Sequence, residues 1–229
     1  RVLFRSEKAQ RSIMAGQVMV DGQRVEKAGA TVPEDAAVEI RGAEKFVGRG
    51  GLKLEGALDH FAIDVTGRLG LDIGASTGGF TDCLLQRGAE RVYAVDVGHG
   101  QIDWKIRNDP RVVVREGLNA RNLCQTDVPE PVGIGVADVS FISLTLILPP
   151  AFALLSPSAD MVVLIKPQFE LSPEKIGKGG VVRDPAAHAE AVAKIRAHVE
   201  ALGRRWMGVM ESPIRGREGN VEYLAHLRP

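Results

Sequence analysis

The chain has 229 residues, 45% of them hydrophobic and 25% charged, and its Lys and Arg balance its Asp and Glu at a formal net charge of zero. That composition excludes a disordered or strongly basic chain and suits a globular protein whose core needs no metal or disulfide staple. The longest apolar stretch, residues 144–155, is too short to span a bilayer and contains Pro149 and Pro150, so no membrane span is expected.

The chain opens on Arg1, and residues 1–5 carry no structural expectation. Residues 6–15 predict a helix with Ser6 as N-cap and Gly16 as C-cap. Asp21-Gly22 between the β-prone runs 18–20 and 23–25 signals a hairpin, and another strand is expected over 37–40. The stretch RGAEKFVGRGG, 41–51, is rich in glycine and charge and reads as a joint. An amphipathic helix is expected over 52–61, with Leu54, Leu58 and Phe61 on one side. The expected organisation is a small α+β domain over 1–42, a linker over 43–51 and a larger domain over 52–229.

The larger domain alternates. Strand-length apolar runs at 69–73, 92–95, 112–114, 132–136 and 161–165 are separated by helix-like segments, which implies a parallel sheet covered on both faces. A long helix is expected over 186–202. The runs 207–210 and 221–227, separated by RGREGN, predict an antiparallel pair that ends the sheet. The fold class is α/β: a Rossmann-like, mostly parallel seven-stranded sheet with its last strand antiparallel. Cys83 and Cys124 have no metal-ligand spacing, no metal is expected, and no secretory signal precedes the first motif. A cytoplasmic location and free thiols follow as expectations.

The segment LDIGASTGGFTD, 71–82, has the form strand, glycine-rich turn, helix. Gly74, Gly78 and Gly79 let the backbone turn and let a ligand approach, and N–H groups at a helix start near Phe80 can bind a carboxylate. Asp72, Ser76 and Thr77 line the same turn. Asp96, at the end of the next strand, suits two ribose hydroxyls. A dinucleotide fingerprint and a P-loop are both absent, and the loop has no lysine for phosphates. These features suit S-adenosylmethionine, with S-adenosylhomocysteine as product. Asn119 or Glu116, after the third strand, can lie beside the adenine; capping by Asn119 is an equal alternative.

Function in an open α/β sheet sits at strand ends. Asp138 ends the fourth strand in VADVSF, Lys166 the fifth in VVLIKPQFE, Glu222 opens the last in GNVEY, and Lys53 begins the helix after the joint. A lysine at the end of a buried run needs partners, and Asp138 and Glu222 are the candidates, with Glu170 competing for the Glu222 role. A hydroxyl attacking a sulfonium methyl must lose its proton, which an amine can take. Burial and a second cation favour a neutral amine while carboxylates favour the ammonium, so the residues leave its protonation open. The turn after Asp138 lacks the Pro-Pro-aromatic pattern of base amino methylation, and neither cysteine ends a strand as carbon methylation requires.

Together DIGASTGGFTD, VDVGHGQ, ADVSFISL, LIKPQFE and GNVEYL resemble the TlyA (hemolysin A) family, and SEKAQRSIMAGQVMVDGQRV and RGGLKLEGAL resemble its RNA-binding domain and joint. The resemblance implies an S-four-type RNA-binding domain followed by an FtsJ-like (RrmJ) class I methyltransferase domain. It implies 2′-O-methylation of cytidine in ribosomal RNA within an assembled subunit, and a catalytic tetrad falling on Lys53, Asp138, Lys166 and Glu222. One departure is that RVLFR stands where the family has the first helix of its RNA-binding domain. Candidate RNA contacts are Lys8, Arg11, Arg24, Arg41, Lys45 and Arg49, through phosphates. The rival readings are a non-catalytic ribosome-assembly module and a membrane-active haemolysin, and the sequence does not set the oligomeric state.

Overall fold

The computed structural model describes residues 7–40, 42, 44–216 and 218–229. Ser6, Arg41 and the side chains of Lys8 and Arg11 lie outside the described residues. The chain divides into two compact units, Arg1–Lys45 and Phe46–Pro229.

The smaller unit contains α1 (Glu7–Met14), β1 (Val18–Val20), β2 (Gln23–Val25) and β3 (Val38–Ile40). The strands form an antiparallel sheet in the order β2-β1-β3. Asp21 and Gly22 both take positive φ, 49° and 78°, the backbone that a tight two-residue hairpin turn demands. Asp21 also accepts from the Ala37 N–H at 2.9 Å, which ties the hairpin to the approach of β3.

The larger unit runs α2 (Gly50–His60), β4 (Leu69–Ile73), α3 (Gly79–Gln86), β5 (Arg91–Val95), α4 (Trp104–Arg107) and β6 (Val112–Arg115). It continues through β7 (Val132–Ala137), α5 (Leu148–Ala153), β8 (Leu155–Ile165), α6 (Pro167–Glu170), α7 (Pro185–Ala201), β9 (Arg205–Glu211) and β10 (Tyr223–Arg228). The seven strands are ordered β6-β5-β4-β7-β8-β10-β9, and only β10 opposes its neighbours. Side chains alternate between two cores. Val92, Ala94, Val162 and Leu164 face α2 and α3 with Leu54, Leu58 and Leu84. Tyr93, Val95, Met161 and Ile165 face α5 and α7 with Leu148, Ile195 and Val199.

The sheet matches the sequence expectation in class and topology, with local differences. β8 begins at Leu155 rather than 161: Leu155 pairs with Val132, and the ladder with β7 resumes at Asp160 opposite Ile134 after a break in register. Between β6 and β7 stands only a 3-10 turn, Ala120–Asn122. The expected linker 43–51 straddles the boundary between the units. Phe46 is only 3% exposed and joins the core of the larger unit, and α2 already starts at Gly50. The glycines misled here: they permit close packing rather than a free joint. A β-carbon on Gly51 would stand 2.3 Å from the Phe46 ring.

Candidate active site

The C-terminal ends of the parallel strands gather most of the candidate residues. β4 stops at Ile73 and the chain turns at Gly74, which has φ +83°. A β-carbon there would meet the Asp138 carbonyl oxygen at 2.4 Å. The Asp138 N–H donates to the Ile73 carbonyl at 2.9 Å, so the ends of β4 and β7 are fastened at this turn. The turn continues through Ser76, at φ +49°, and α3 begins at Gly79, so the first helical N–H groups point back into the loop. Asp96 organises the turn by accepting from the Ser76 and Gly98 N–H groups, each at 2.7 Å. Each carboxylate oxygen keeps a second lone pair for a hydroxyl donor.

Asp72 lies beneath this loop, fully buried. The Thr81 hydroxyl donates to its Oδ2 at 2.6 Å, while Oδ1 finds no donor among the described residues. Burial pushes the carboxyl up to about 7; the Thr81 hydrogen bond opposes that shift and the Asp138 charge adds to it. An unfolded aspartate ionises near 3.8, so between about pH 4 and 7 the folded chain holds a proton that the unfolded chain has shed. Stability therefore falls as pH rises through that window, and the full cost persists above it. Asp72→Asn should remove the slope, leaving the variant about 1–4 kcal/mol more stable than the parent at pH 8 and similar to it at pH 4. Thermal unfolding across that range checks this; parallel curves would contradict it.

The segment before α2 packs on the loop. The Val47 N–H donates to Asp82 Oδ2 at 2.8 Å, and a β-carbon on Gly48 would lie 2.5 Å from Thr77 Oγ1. At the start of α2, a β-carbon on Gly50 would lie 3.7 Å from Asp138 Oδ2.

Two cation–carboxylate pairs complete the edge. Lys166 follows β8, and its Nζ stands 2.6 Å from Asp138 Oδ1 and donates to Ser140 Oγ at 2.9 Å. Lys53, on α2, donates to Glu222 Oε2 at 2.5 Å, with side-chain exposures of 10% and 3%. The expectation that Glu222 partners Lys166 is corrected in this respect: its direct contact is Lys53. Tyr223 pairs with Ile165, so Glu222 and Lys166 are the next residues outward along the same register, and the pairs stand on neighbouring strand ends. A buried pair is held this way because either charge alone would be costly to desolvate.

Other candidates fall elsewhere. Glu170 is buried and accepts from Ser143 Oγ at 2.6 Å and the Leu144 N–H at 2.8 Å, which makes it a loop anchor. Asn119 caps the 3-10 turn by accepting from the Arg121 N–H at 3.1 Å, and Glu116 accepts from the Gly100 N–H at 2.8 Å and from Arg107. The Asn119 bond is the capping that the sequence offered as the equal alternative. The Phe80 ring is buried in the core beside Gly50, so only its backbone can serve the loop. Arg24 pairs with Glu26 at 3.0 Å, Lys45 is exposed, and Arg49 donates to the Arg215 carbonyl at 3.1 Å. A cleft of about 410 Å³ that includes Asp59, Asp64 and Arg87 lies before β4 and holds none of the candidate residues. Sequence reading missed Ser140, an ordinary turn residue in VADVSF. It also missed Phe141, which is 91% exposed at φ +62° and packs on Phe169 with ring centroids 5.0 Å apart.

The family model for the FtsJ-like methyltransferase matches residues 46–229. The chain is 47% identical over 231 residues to the 16S/23S rRNA (cytidine-2′-O)-methyltransferase TlyA of Mycobacterium tuberculosis, covering 100% of this chain and 86% of that protein. It is 43% identical to Hemolysin A of Brachyspira hyodysenteriae, covering 96% of this chain and 92% of that protein. A solved structure named "Putative hemolysin from Streptococcus thermophilus" superposes with a TM-score of 0.79 at 43% identity, covering 99% of this chain and 84% of that one.

Proposed function

The chain belongs to the FtsJ-like methyltransferase family, among the TlyA and hemolysin A proteins, and from that premise we propose that it methylates the 2′-hydroxyl of a cytidine in ribosomal RNA. The observation that carries the reading is the Lys166 amine, 2.6 Å from the Asp138 carboxylate and on the same sheet edge as the Gly74 turn.

The residues fit S-adenosylmethionine as the donor. The unpartnered, buried Asp72 Oδ1 suits its ammonium, the α3 N-terminus its carboxylate, and Asp96 its ribose hydroxyls. When bound, the donor supplies an electrophilic methyl on a sulfonium sulfur. Lys166 then takes the proton of the attacking hydroxyl at Nζ, and Asp138 stabilises the ammonium so formed. The Lys53–Glu222 pair stands on the neighbouring strand end, each charge compensating the other. Much of the rate comes from alignment, which can supply about 7–11 kcal/mol.

The smaller unit, Arg1–Lys45, we read as the RNA-binding domain. Arg24, Lys45 and Arg49 serve phosphates, as do Lys8, Arg11 and Arg41 on the sequence pattern. The substrate is ribosomal RNA presented in an assembled subunit. Among the described residues no helix is long and apolar enough to cross a membrane.

The test supplies purified protein with methyl-labelled donor and each unmethylated ribosomal subunit, then hydrolyses the RNA with alkali. A blocked ribose hydroxyl cannot attack its own phosphate, so the expected product is label at an alkali-resistant cytidine linkage. Label that survives only on a base, or no label with either subunit, refutes the proposal.

A further inference from the structure

We propose that Ser140 is a positioning residue for methyl transfer, fixing the rotation of the Lys166 amine so that its lone pair faces the attacking hydroxyl. The inference rests on the function proposed above and adds a residue outside the tetrad.

The constraint is the tetrahedral geometry of the amine. A neutral lysine amine has one bond to Cε, two N–H bonds and one lone pair. Left alone, the terminal group spins about its last single bond, and the lone pair sweeps a circle. The contact with Asp138 Oδ1 at 2.6 Å is an ion-pair approach without hydrogen-bond geometry, since that oxygen finds no donor among the described residues, so it draws the amine in without fixing its rotation. The contact with Ser140 Oγ at 2.9 Å is a directional hydrogen bond and does fix it. With one N–H assigned to Ser140 and the lone pair repelled from the Asp138 carboxylate, the lone pair is left the open side of the amine.

The surroundings hold Ser140 in place for this work. It sits in the turn 138–141, whose last residue, Phe141, is held at φ +62° and packs on the Phe169 ring. Phe169 in turn lies 5.9 Å from Lys166 Nζ, closing another side of the amine. The charged groups around Lys166 are Asp138 at the end of β7 and, next along the register of β10, Glu222 with its partner Lys53 on α2. Ser140 itself is exposed, so a nucleotide can reach the amine beside it.

In the reaction the hydroxyl O–H bond breaks as an Nζ–H bond forms, and the oxygen bonds the methyl carbon. The electrons of the broken carbon–sulfur bond return to sulfur, leaving a neutral thioether. The ammonium then donates to Asp138, to Ser140 and towards the new ether oxygen. Ser140 therefore accepts throughout and also stabilises the charge that develops on nitrogen.

The experiment compares wild type, Ser140→Ala and Ser140→Thr with labelled donor and unmethylated ribosomal subunits, recording kcat, both KM values and the pH profile. Ser140→Ala should lower kcat about 10–100-fold, the scale of a small misplacement at the reacting atoms, with both KM values little changed. Its acidic limb should move to lower pH, because the ammonium loses an acceptor. Ser140→Thr, which keeps the hydroxyl, should restore most of the rate. Active wild type with an unaffected Ser140→Ala variant overturns this inference alone, as does a loss confined to KM or one that threonine does not rescue. Wild type that methylates no RNA overturns the function and this inference with it.

Discussion

Lys166→Ala is expected to abolish methyl transfer while leaving the donor site intact. The amine is the base in this account, and removing a positioned base costs about 10²–10⁴ in rate. Its removal also takes the counter-charge from Asp138, whose side chain is 23% exposed, so water can rehydrate the carboxylate and the fold should survive. None of the groups assigned to the donor is altered: the Gly74 turn, Asp96 and Asp72 keep their own bonds. Isothermal titration with S-adenosylhomocysteine should return a near-parental affinity, and turnover on ribosomal subunits should vanish into background. Substantial turnover by this variant would show that the hydroxyl loses its proton elsewhere.

Gly74→Ala should damage stability and donor binding together. The backbone at φ +83° costs any L-residue about 1–2 kcal/mol. The new methyl must also displace the Asp138 carbonyl, a backbone atom 2.4 Å away that cannot swing aside as a side chain would. The ends of β4 and β7 would be pushed apart where the Asp138 N–H meets Ile73, and the donor loop would shift with them. A total cost of about 3 kcal/mol or more is expected, with donor affinity at least about tenfold weaker. Gly67→Ala is the control, because Gly67 has φ +67° but nothing within 4 Å of its β-carbon position. It should cost only the backbone strain and leave the donor bound. Equal behaviour of the two variants would mean that the contact with Asp138 carries no weight.

The sheet was legible because a strand buried on both faces reads as an unbroken apolar run, as in VVLI before Lys166. The same logic exposed Lys166 and Asp138, polar residues standing where such runs stop. Glu222 was found, but its partner was not, because Lys53 reaches it from a helix far away in sequence and only the packing of α2 reveals that. The segment from Phe46 to Gly51 failed for a related reason. Glycines that admit a flexible joint and glycines that admit a close neighbour look alike in one dimension, and Gly51 is of the second kind. Asn119 was undecided because capping and ligand contact use the same side-chain atoms, and only the fold shows its bond to the Arg121 N–H. Ser140 carried no signal at all, since a serine in a turn is ordinary until a lysine is seen to donate to it.

A crystal structure with bound S-adenosylhomocysteine tests the heart of this account. The predicted result places the product's sulfur over the Gly74 turn, facing Lys166, with room between them for one oxygen at hydrogen-bonding distance, about 2.6–3.2 Å, from Nζ. Density for the product elsewhere, or a Lys166 amine turned away from the sulfur, would contradict it.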